Sequence, residues 1–167
     1  MTLATRTYLT PSNALDAIAD AYEGVAGGEI PSKMLLVLAA QSALETAQWH
    51  SCWNWNFGNL RGSGDAGSVA IPGATEVENG VEVQRPDGFA AYSGRIAGAR
   101  AYLSLLERKY QKAIGAAMLG DLDGFVHSLK AGGYFTANED LYHRAERSEA
   151  AWLEGLPAMR AWLEPHT

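Results

Sequence analysis

The chain has 167 residues, a length that favours one compact domain with a sizeable core. Its formal net charge is −6 and its basic residues do not cluster, which excludes the concentrated positive surface of a typical nucleic-acid-binding protein. No apolar run approaches the ~20 residues that span a bilayer, and the single cysteine, Cys52, rules out an internal disulfide framework.

The first fifty residues are predicted to form two helices. Thr10 begins a helix-start cluster, and apolar residues at helical spacing follow it as far as the glycines at 24, 27 and 28. Pro31 opens a second helix, which the apolar pattern predicts from about Lys33 to Trp49. Residues 50–68 are typical of a loop, with an aromatic stretch followed by a glycine-rich one.

Residues 69–92 are predicted to form a small β-lobe. Two short alternating segments flank Asn79-Gly80, which is the strongest short-range signal for a hairpin. A two-residue turn would place Glu76 opposite Val83, whereas a three-residue loop would turn Glu76 to the other face. The sequence leaves this register open. A third short strand is expected near residues 89–92.

The rest of the chain is predicted to be helical. One apolar stripe runs from Ile96 to Ile114, and Asp121 is expected to cap a further helix. A last helical stretch carries an apolar stripe of Leu141, Ala145 and Trp152. The sequence therefore predicts one mostly helical α+β domain over residues 1–167, whose helical lobe and β-lobe enclose a cleft for an elongated substrate.

Glu45 is the one acidic residue of the second predicted helix. On a helical wheel it shares the apolar face with Met34, Leu38 and Trp49, so its carboxyl group is expected to point to the core or to a cleft wall. Burial disfavours the charged form and raises the pKa, as a general acid working near neutral pH requires. The alternative is a half-exposed Glu at a helix end, paired with Arg or Lys.

Glu76 and Glu78 alternate along the first strand of the predicted hairpin and so project from one face. Hairpin glutamates are commonly only solvated. A glycosidase nevertheless needs one carboxyl group to protonate the leaving oxygen and a second to activate water or to stabilise the oxocarbenium-like transition state. A helix-borne Glu45 and a hairpin-borne Glu76 meet that requirement.

Aromatic and amide side chains crowd the segment after Glu45. Aromatic rings stack on the apolar faces of sugars, and amides bond hydroxyl and acetamido groups, although such rings pack into the core equally often. The predicted substrate-binding residues are Trp49, Asn54, Trp55, Asn56, Phe57 and, later in the chain, Tyr142.

Neither a metal site nor a cysteine nucleophile is predicted. The four histidines lack metal-ligand spacing with Cys52 or with acidic residues, and no Cys-His signature surrounds Cys52. Asp65 lies in a glycine-rich loop and is expected to serve the turn rather than catalysis.

Five segments, taken in chain order, resemble the glucosaminidases of glycoside hydrolase family 73. The first contains Glu45 in the series Ala-Leu-Glu-Thr-Ala-Gln-Trp, similar to that family's Ala-Leu-Glu-Ser/Thr-Gly-Trp-Gly signature. The third contains Glu76 in a Thr-Glu-x-x-Asn-Gly hairpin, and the fifth contains Tyr134 in a series similar to Ala-Gly-Tyr-Ala-Thr. The five segments span residues 43–49, 54–58, 74–80, 89–93 and 131–136.

The resemblance implies a lysozyme-like fold and cleavage of the β-1,4 bond after N-acetylglucosamine in peptidoglycan strands. It implies that Glu45 is the general acid, Glu76 the second carboxylate and Tyr134 a tyrosine that supports the reaction centre. It implies neither a metal nor an organic cofactor, and we expect a monomer. The first residues do not resemble a signal peptide, so we expect synthesis in the cytoplasm and delivery to the cell wall by phage-type release, virion delivery or specialised secretion.

Two other functions are compatible with these residues. An N-acetylmuramidase or lytic transglycosylase shares the expected fold and the helix-borne Glu but cleaves after the other sugar. A glycan-binding or structural virion protein would keep the fold without the chemistry.

Overall fold

The computed structural model describes residues 2–71, 76–78, 81–83 and 88–164. In these ranges no helix is long and apolar enough to cross a membrane. The described elements are, in chain order, α1 (Pro11–Ala26), α2 (Ser32–Glu45), β1 (Ser68–Val69), β2 (Glu76–Glu78), β3 (Val81–Val83), β4 (Phe89–Ala90), α3 (Arg95–Lys109), α4 (Gln111–Met118), α5 (Leu122–Ala131), α6 (Glu139–Glu154) and α7 (Pro157–Leu163).

Local sequence signals set the ends of α1 and the start of α5, as predicted. The Thr10 hydroxyl accepts a hydrogen bond from the backbone N–H of Asn13, and the Asp121 carboxylate accepts one from that of Gly124. Gly27 ends α1 with φ 76°, a left-handed conformation that costs glycine little. The predicted caps at both helix starts are confirmed.

Helix α2 is the central element of the core. Nine of its 14 residues are buried, from Met34 to Ala43, and α1, α4, α6 and α7 pack around it. A helix that is apolar on nearly every side is stable only when neighbours cover all its faces. A polar side chain in the buried part of α2, from Met34 to Ala43, therefore needs a partner inside the protein.

The end of α2 differs from the sequence expectation. The helix ends at Glu45 rather than near Trp49, because Ala47, Gln48 and Trp49 adopt left-handed backbone conformations with φ of 49°, 55° and 63°. The backbone N–H of Gln48 donates to Ala43 at 2.7 Å, which closes the last turn of the helix. Glu45 consequently stands at the carboxyl-terminal end of a buried helix, where the chain turns sharply away.

The described part of the β-lobe consists of two antiparallel pairs. Strand β1 pairs with β4, so that Val69 lies opposite Phe89. Strand β2 pairs with β3, and Glu76 lies opposite Val83, which is the register of a two-residue turn. The turn residues Asn79 and Gly80 themselves lie outside the described residues.

The apolar stripe predicted from Ile96 to Ile114 is divided between two helices. Tyr110, with φ −129° and ψ 45°, separates α3 from α4. Its side chain lies beside that of Tyr134, with ring centroids 5.2 Å apart in an edge-on arrangement. The break thus brings an aromatic ring to the surface of a cleft that a continuous helix would not have formed.

The buried face of α6 also differs from the predicted one. Leu141 is 58% exposed, whereas Glu146, Ala150 and Leu153 are buried. The apolar pattern was misleading because a carboxylic acid occupies the centre of the inner face.

We predict that Gly98→Ala lowers the free energy of unfolding by about 1–3 kcal/mol or more, because overpacking a rigid contact forces the backbone to move. A Cβ atom at residue 98 in α3 would lie 1.8 Å from the backbone oxygen of Trp55. Gly115→Ala is the matched control, since Gly115 is also helical but has open space around it.

The control is expected to be stabilising by about 0.5–1 kcal/mol, the helix-propensity gain of alanine over glycine. Thermal or urea unfolding of both variants measures the difference. Equal stability changes in the two variants would contradict the close contact between α3 and the residue-55 loop.

Candidate active site

Glu45 combines burial with one specific hydrogen bond. The phenol of Tyr142 on α6 donates to Glu45 Oε1 at 2.8 Å. Burial raises the pKa of the Glu45 carboxyl group above its usual range, and the hydrogen bond from Tyr142 opposes this by favouring the charged form. Burial is the larger of the two effects, so Glu45 is suited to hold a proton near neutral pH.

A short chain of hydrogen bonds fixes the orientation of Tyr142. Gln41, one turn before Glu45 on α2, donates from Nε2 to the Tyr142 hydroxyl at 3.3 Å. The carboxamide oxygen of Gln41 contacts the hydroxyl of Tyr102, which lies 3.1 Å from the backbone oxygen of Leu38. Glu45 is therefore held by side chains whose positions are themselves determined in the core.

Glu146 is a second carboxyl group near Glu45, one turn after Tyr142 on α6. It is fully buried, and neither of its oxygens has a hydrogen-bond partner. Burial raises its pKa well above the usual range, and the charge of Glu45 raises it further. Ionising both groups in this low-dielectric region is costly, so a charge on Glu45 favours the protonated form of Glu146.

A cleft of about 310 Å³ opens at Glu45, and its described lining residues are Glu45, Gly58, Asn59, Leu60, Arg61, Phe89, Leu105, Tyr110 and Tyr134. The Tyr134 hydroxyl donates to the backbone oxygen of Gly58 at 3.0 Å, which fixes this ring at the cleft wall. Burial and the charge of Glu45 raise the pKa of Tyr134, so this phenol stays protonated. The helical lobe contributes Glu45, and the β-lobe contributes Phe89 to the opposite wall.

The aromatic residues predicted to bind substrate are mainly structural. Trp49 and Phe57 are fully buried. The Trp49 indole N–H donates to the Ser42 hydroxyl at 3.0 Å, and that hydroxyl donates to the Phe57 carbonyl at 2.7 Å. Stacking on a sugar requires an accessible ring face, which neither residue has. Trp55 is half-buried and packs against the same core.

The two predicted asparagines also use their amides inside the protein. Asn54 bonds the backbone of Leu3 and Thr5 at 3.0 and 2.9 Å, which attaches the N-terminal segment to the loop. Asn56 bonds the backbone of Leu60 and Ala90 at 2.8 to 3.0 Å. Among the described residues that line the cleft, neither these two asparagines nor Trp49, Trp55 and Phe57 are found.

The structure brings together Glu45, Tyr134 and Tyr142 of the predicted site. The last two had been assigned from different signals, Tyr134 from the family resemblance and Tyr142 as a sugar-binding ring. Glu76 lies in β2 at a known register, but its side chain is outside the described part of the chain. Its role as second carboxylate stays a prediction.

Three residues near Glu45 had no role in the sequence interpretation: Tyr102, Tyr110 and Glu146. Glu146 had a local signal, because it follows Tyr142 by four residues, the spacing that also separates Glu45 from Gln41. Nothing local distinguishes Tyr102 from an ordinary core aromatic residue. Its role depends on the packing of α3 next to α2.

Other candidate groups have structural explanations. Asp65 accepts hydrogen bonds from the backbone N–H and hydroxyl of Ser93 at 2.9 and 2.5 Å, which join its loop to the segment before α3. Cys52 is buried, and burial raises the pKa of its thiol to about 11, which suppresses the nucleophilic thiolate. Within the described ranges, no three His, Cys, Asp or Glu residues are placed to hold a metal ion.

The fold is similar to that of two solved structures. A peptidoglycan hydrolase mutant from Sphingomonas sp. A1 is 23% identical, with a TM-score of 0.60 over 91% of this chain and 97% of that chain. A C-terminally truncated glycoside hydrolase domain of FlgJ from Salmonella typhimurium is 20% identical, with a TM-score of 0.53 over 88% of this chain and 99% of that chain.

The predicted fold class is confirmed: the chain has a mostly helical, lysozyme-like fold with a small antiparallel β-lobe, as in glycoside hydrolase family 73. The likeness extends over about nine tenths of the chain. No family model matches the sequence, and neither does any curated protein. At these identities the likeness shows the fold, and the chemistry is a separate question.

We predict that Glu146→Gln becomes progressively more stable than the wild type as the pH rises above about 5. The folded-state pKa of Glu146 is raised, so above the unfolded-state pKa the native protein binds more protons than the unfolded chain. Wild-type stability is therefore fully present at low pH and is lost as the pH rises, by up to about 1.4 kcal/mol per pH unit. Glutamine is neutral throughout and lacks this loss.

The measurement is urea unfolding between pH 4.5 and 8.5. Glu154→Gln is the control, because Glu154 is exposed at the end of the same helix. Parallel stability profiles for wild type and Glu146→Gln would mean that Glu146 is not buried in an apolar interface.

Proposed function

We propose that this protein is a peptidoglycan hydrolase that cleaves the β-1,4 bond after N-acetylglucosamine. The observation that carries the proposal is Glu45, a carboxyl group with a raised pKa at the wall of an open cleft between the two lobes. The fold is that of structures described as a peptidoglycan hydrolase and a glycoside hydrolase domain, which supports the same reaction class.

Glu45 is proposed to protonate the oxygen of the leaving sugar. A general acid must be protonated in the enzyme–substrate complex and must reach the scissile bond. Burial supplies the first condition, and the position of Glu45 in the cleft lining supplies the second. Tyr142 restricts the rotamer of Glu45 and stabilises the carboxylate that remains after proton transfer.

The described cleft walls suit a sugar polymer. Leu60 and Tyr110 offer apolar surface to the C–H faces of sugar rings, while Asn59 offers an amide to hydroxyl or acetamido groups. Tyr134 borders the reaction centre, and its phenol is proposed to position the sugar next to Glu45.

Glu76 is proposed as the second carboxylate, which activates water or stabilises the positive charge of the transition state. Its place in β2, opposite Val83, supports this role only through the family resemblance and the hairpin register. Glu76→Gln is expected to reduce turnover, with Glu78→Gln on the same strand as the matched control.

We predict that Glu45→Gln lowers the rate of peptidoglycan cleavage by about a hundred- to ten-thousand-fold, the usual contribution of a general acid. The assay digests purified peptidoglycan, reduces the fragments with borohydride and identifies the new ends by mass spectrometry. Glu149→Gln, a change on α6 away from the cleft lining, is the control for handling and folding.

The ends produced by the wild type decide between the functions considered. Reduced N-acetylglucosamine ends support the proposal. Reduced muramic acid or anhydro-sugar ends would replace it with muramidase or lytic transglycosylase activity. Binding without cleavage, equal in wild type and Glu45→Gln, would indicate a glycan-binding protein.

We predict that Tyr142→Phe extends activity to higher pH. The Tyr142 hydroxyl stabilises the charged form of Glu45, so its removal raises the pKa of Glu45 and keeps the acid protonated further into the alkaline range. Rates measured as kcat/KM between pH 4 and 10 test the shift. Tyr134→Phe, whose hydroxyl bonds Gly58 instead of Glu45, is expected to slow the reaction without moving the alkaline limit. An unchanged limit in Tyr142→Phe would argue against Glu45 as the titrating acid.

A further inference from the structure

A second hollow, of about 480 Å³, lies beside the cleft at the junction of α3 and α4. Its lining includes four basic side chains, Arg108, Lys109, Lys112 and His127, and we call it the basic hollow. Its described lining contains no acidic residue. In a chain with a formal net charge of −6, this local grouping of cations was not expected from the sequence.

The basic hollow adjoins the cleft. Tyr110 lines both, because the break between the two helices places its ring on the ridge between them. A third depression, of about 500 Å³, shares Arg108, Lys109 and Tyr110 with the hollow and shares Leu60 and Arg61 with the cleft. A molecule bound at Glu45 can therefore extend a branch over Tyr110 into the hollow.

The cations of the hollow differ in how far they are engaged within the protein. His127 contacts the carboxylate of Glu139 at 2.9 Å, so its imidazole is already engaged within the protein. Arg108 uses Nε for a bond to the backbone oxygen of Ser104 at 3.3 Å, which orients its guanidinium group. Lys109 and Lys112 are exposed at the mouth. Lys109, Lys112 and the terminal nitrogens of Arg108 are therefore placed to meet an anionic ligand.

We propose that the basic hollow binds the carboxylate groups of the stem peptides that branch from peptidoglycan strands. The proposal rests on the proposed function, because only a strand held at Glu45 brings a stem peptide to this position. The sugars that fill the cleft are largely uncharged, whereas stem peptides carry free carboxylates. Arginine and lysine bind carboxylates through charge-assisted hydrogen bonds. The hollow would therefore make the enzyme prefer strands that still carry their peptides.

The test variant, which we call the hollow variant, combines Lys109→Glu with Lys112→Glu and so reverses two charges in the hollow. The control is Lys33→Glu with Arg95→Glu, which changes the net charge equally at exposed positions outside the hollow. Arg95 begins α3, roughly 20 Å from Lys109 along the helix axis. The control thus accounts for long-range repulsion between the protein and an anionic wall.

Three substrates separate the contributions of charge and of peptide bulk: strands with intact stem peptides, the same strands with amidated peptide carboxylates, and strands that are stripped of peptides by an amidase and then amidated at the lactyl carboxylate that the amidase exposes. The hollow variant is expected to raise KM about tenfold on intact strands, with kcat unchanged and with no change on the other two substrates. The wild-type preference for intact strands is expected to shrink in about 0.5 M salt, where charges are screened.

Two results would overturn the proposal. One is an unchanged KM of the hollow variant on intact strands, and the other is an equal rise on intact and stripped strands. If the wild type cleaves none of the substrates, the proposed function fails. Calorimetry then still tests the hollow, by comparing the affinity of the protein for a soluble disaccharide-peptide with its affinity for the bare disaccharide. Equal affinity for these two probes would reject it, and tighter binding of the disaccharide-peptide that is lost in the hollow variant would support it.

Discussion

The packing of α6 against α2 is the contact on which the candidate site depends. It places Gln41 and Glu45, one turn apart on α2, against Tyr142 and Glu146, one turn apart on α6. The carboxyl groups of Glu45 and Glu146 are thereby held close together, and the phenols of Tyr102, Tyr134 and Tyr142 lie nearby. Among the described groups that shift the pKa values of these five side chains, none is a cation. Such an arrangement is stable only while at least one carboxyl group keeps its proton. The packing of the core therefore raises the pKa values of both carboxyl groups and favours their protonated forms.

The same contact explains why Glu45 lies at the end of its helix. Within α2, the neighbouring helices cover nearly every position from Met34 to Ala43, so a carboxylate placed earlier would be enclosed. The three left-handed residues from Ala47 to Trp49 end the helix and return Trp49 to the core, where its indole bonds Ser42. Strained backbone conformations of this kind persist where the packing around them holds the chain in place. At this turn, the strained backbone leaves Glu45 facing the cleft, and the chain enters the core at Trp49.

The sequence predicts what depends on local signals and fails where distant elements decide. The caps at Thr10 and Asp121 are side-chain to backbone contacts within three residues, so they could be read directly. Glu45 could be identified because its helical wheel is otherwise apolar. Glu146 was missed because a buried carboxyl group on α6 violates the apolar pattern by which buried faces are recognised, and its burial depends on α2. For the Asn and Trp residues of the 49–57 loop, the sequence alone does not distinguish side chains that bind sugars from side chains that hold the loop together.

That loop shows how a structural role supports the site without contact to a substrate. Asn54 attaches the N-terminal segment, and Asn56 bonds the backbone of Leu60, which lines the cleft, and of Ala90, the neighbour of the cleft residue Phe89. Left-handed conformations at Asn54 and Trp55 need these amide bonds to be maintained. The loop thus joins the helical lobe to the β-lobe at a fixed separation. A general acid requires its partner groups at a set distance across the cleft, so under the proposed function the position of the β-lobe is part of the catalytic geometry, and these amides support it through the backbone that they hold.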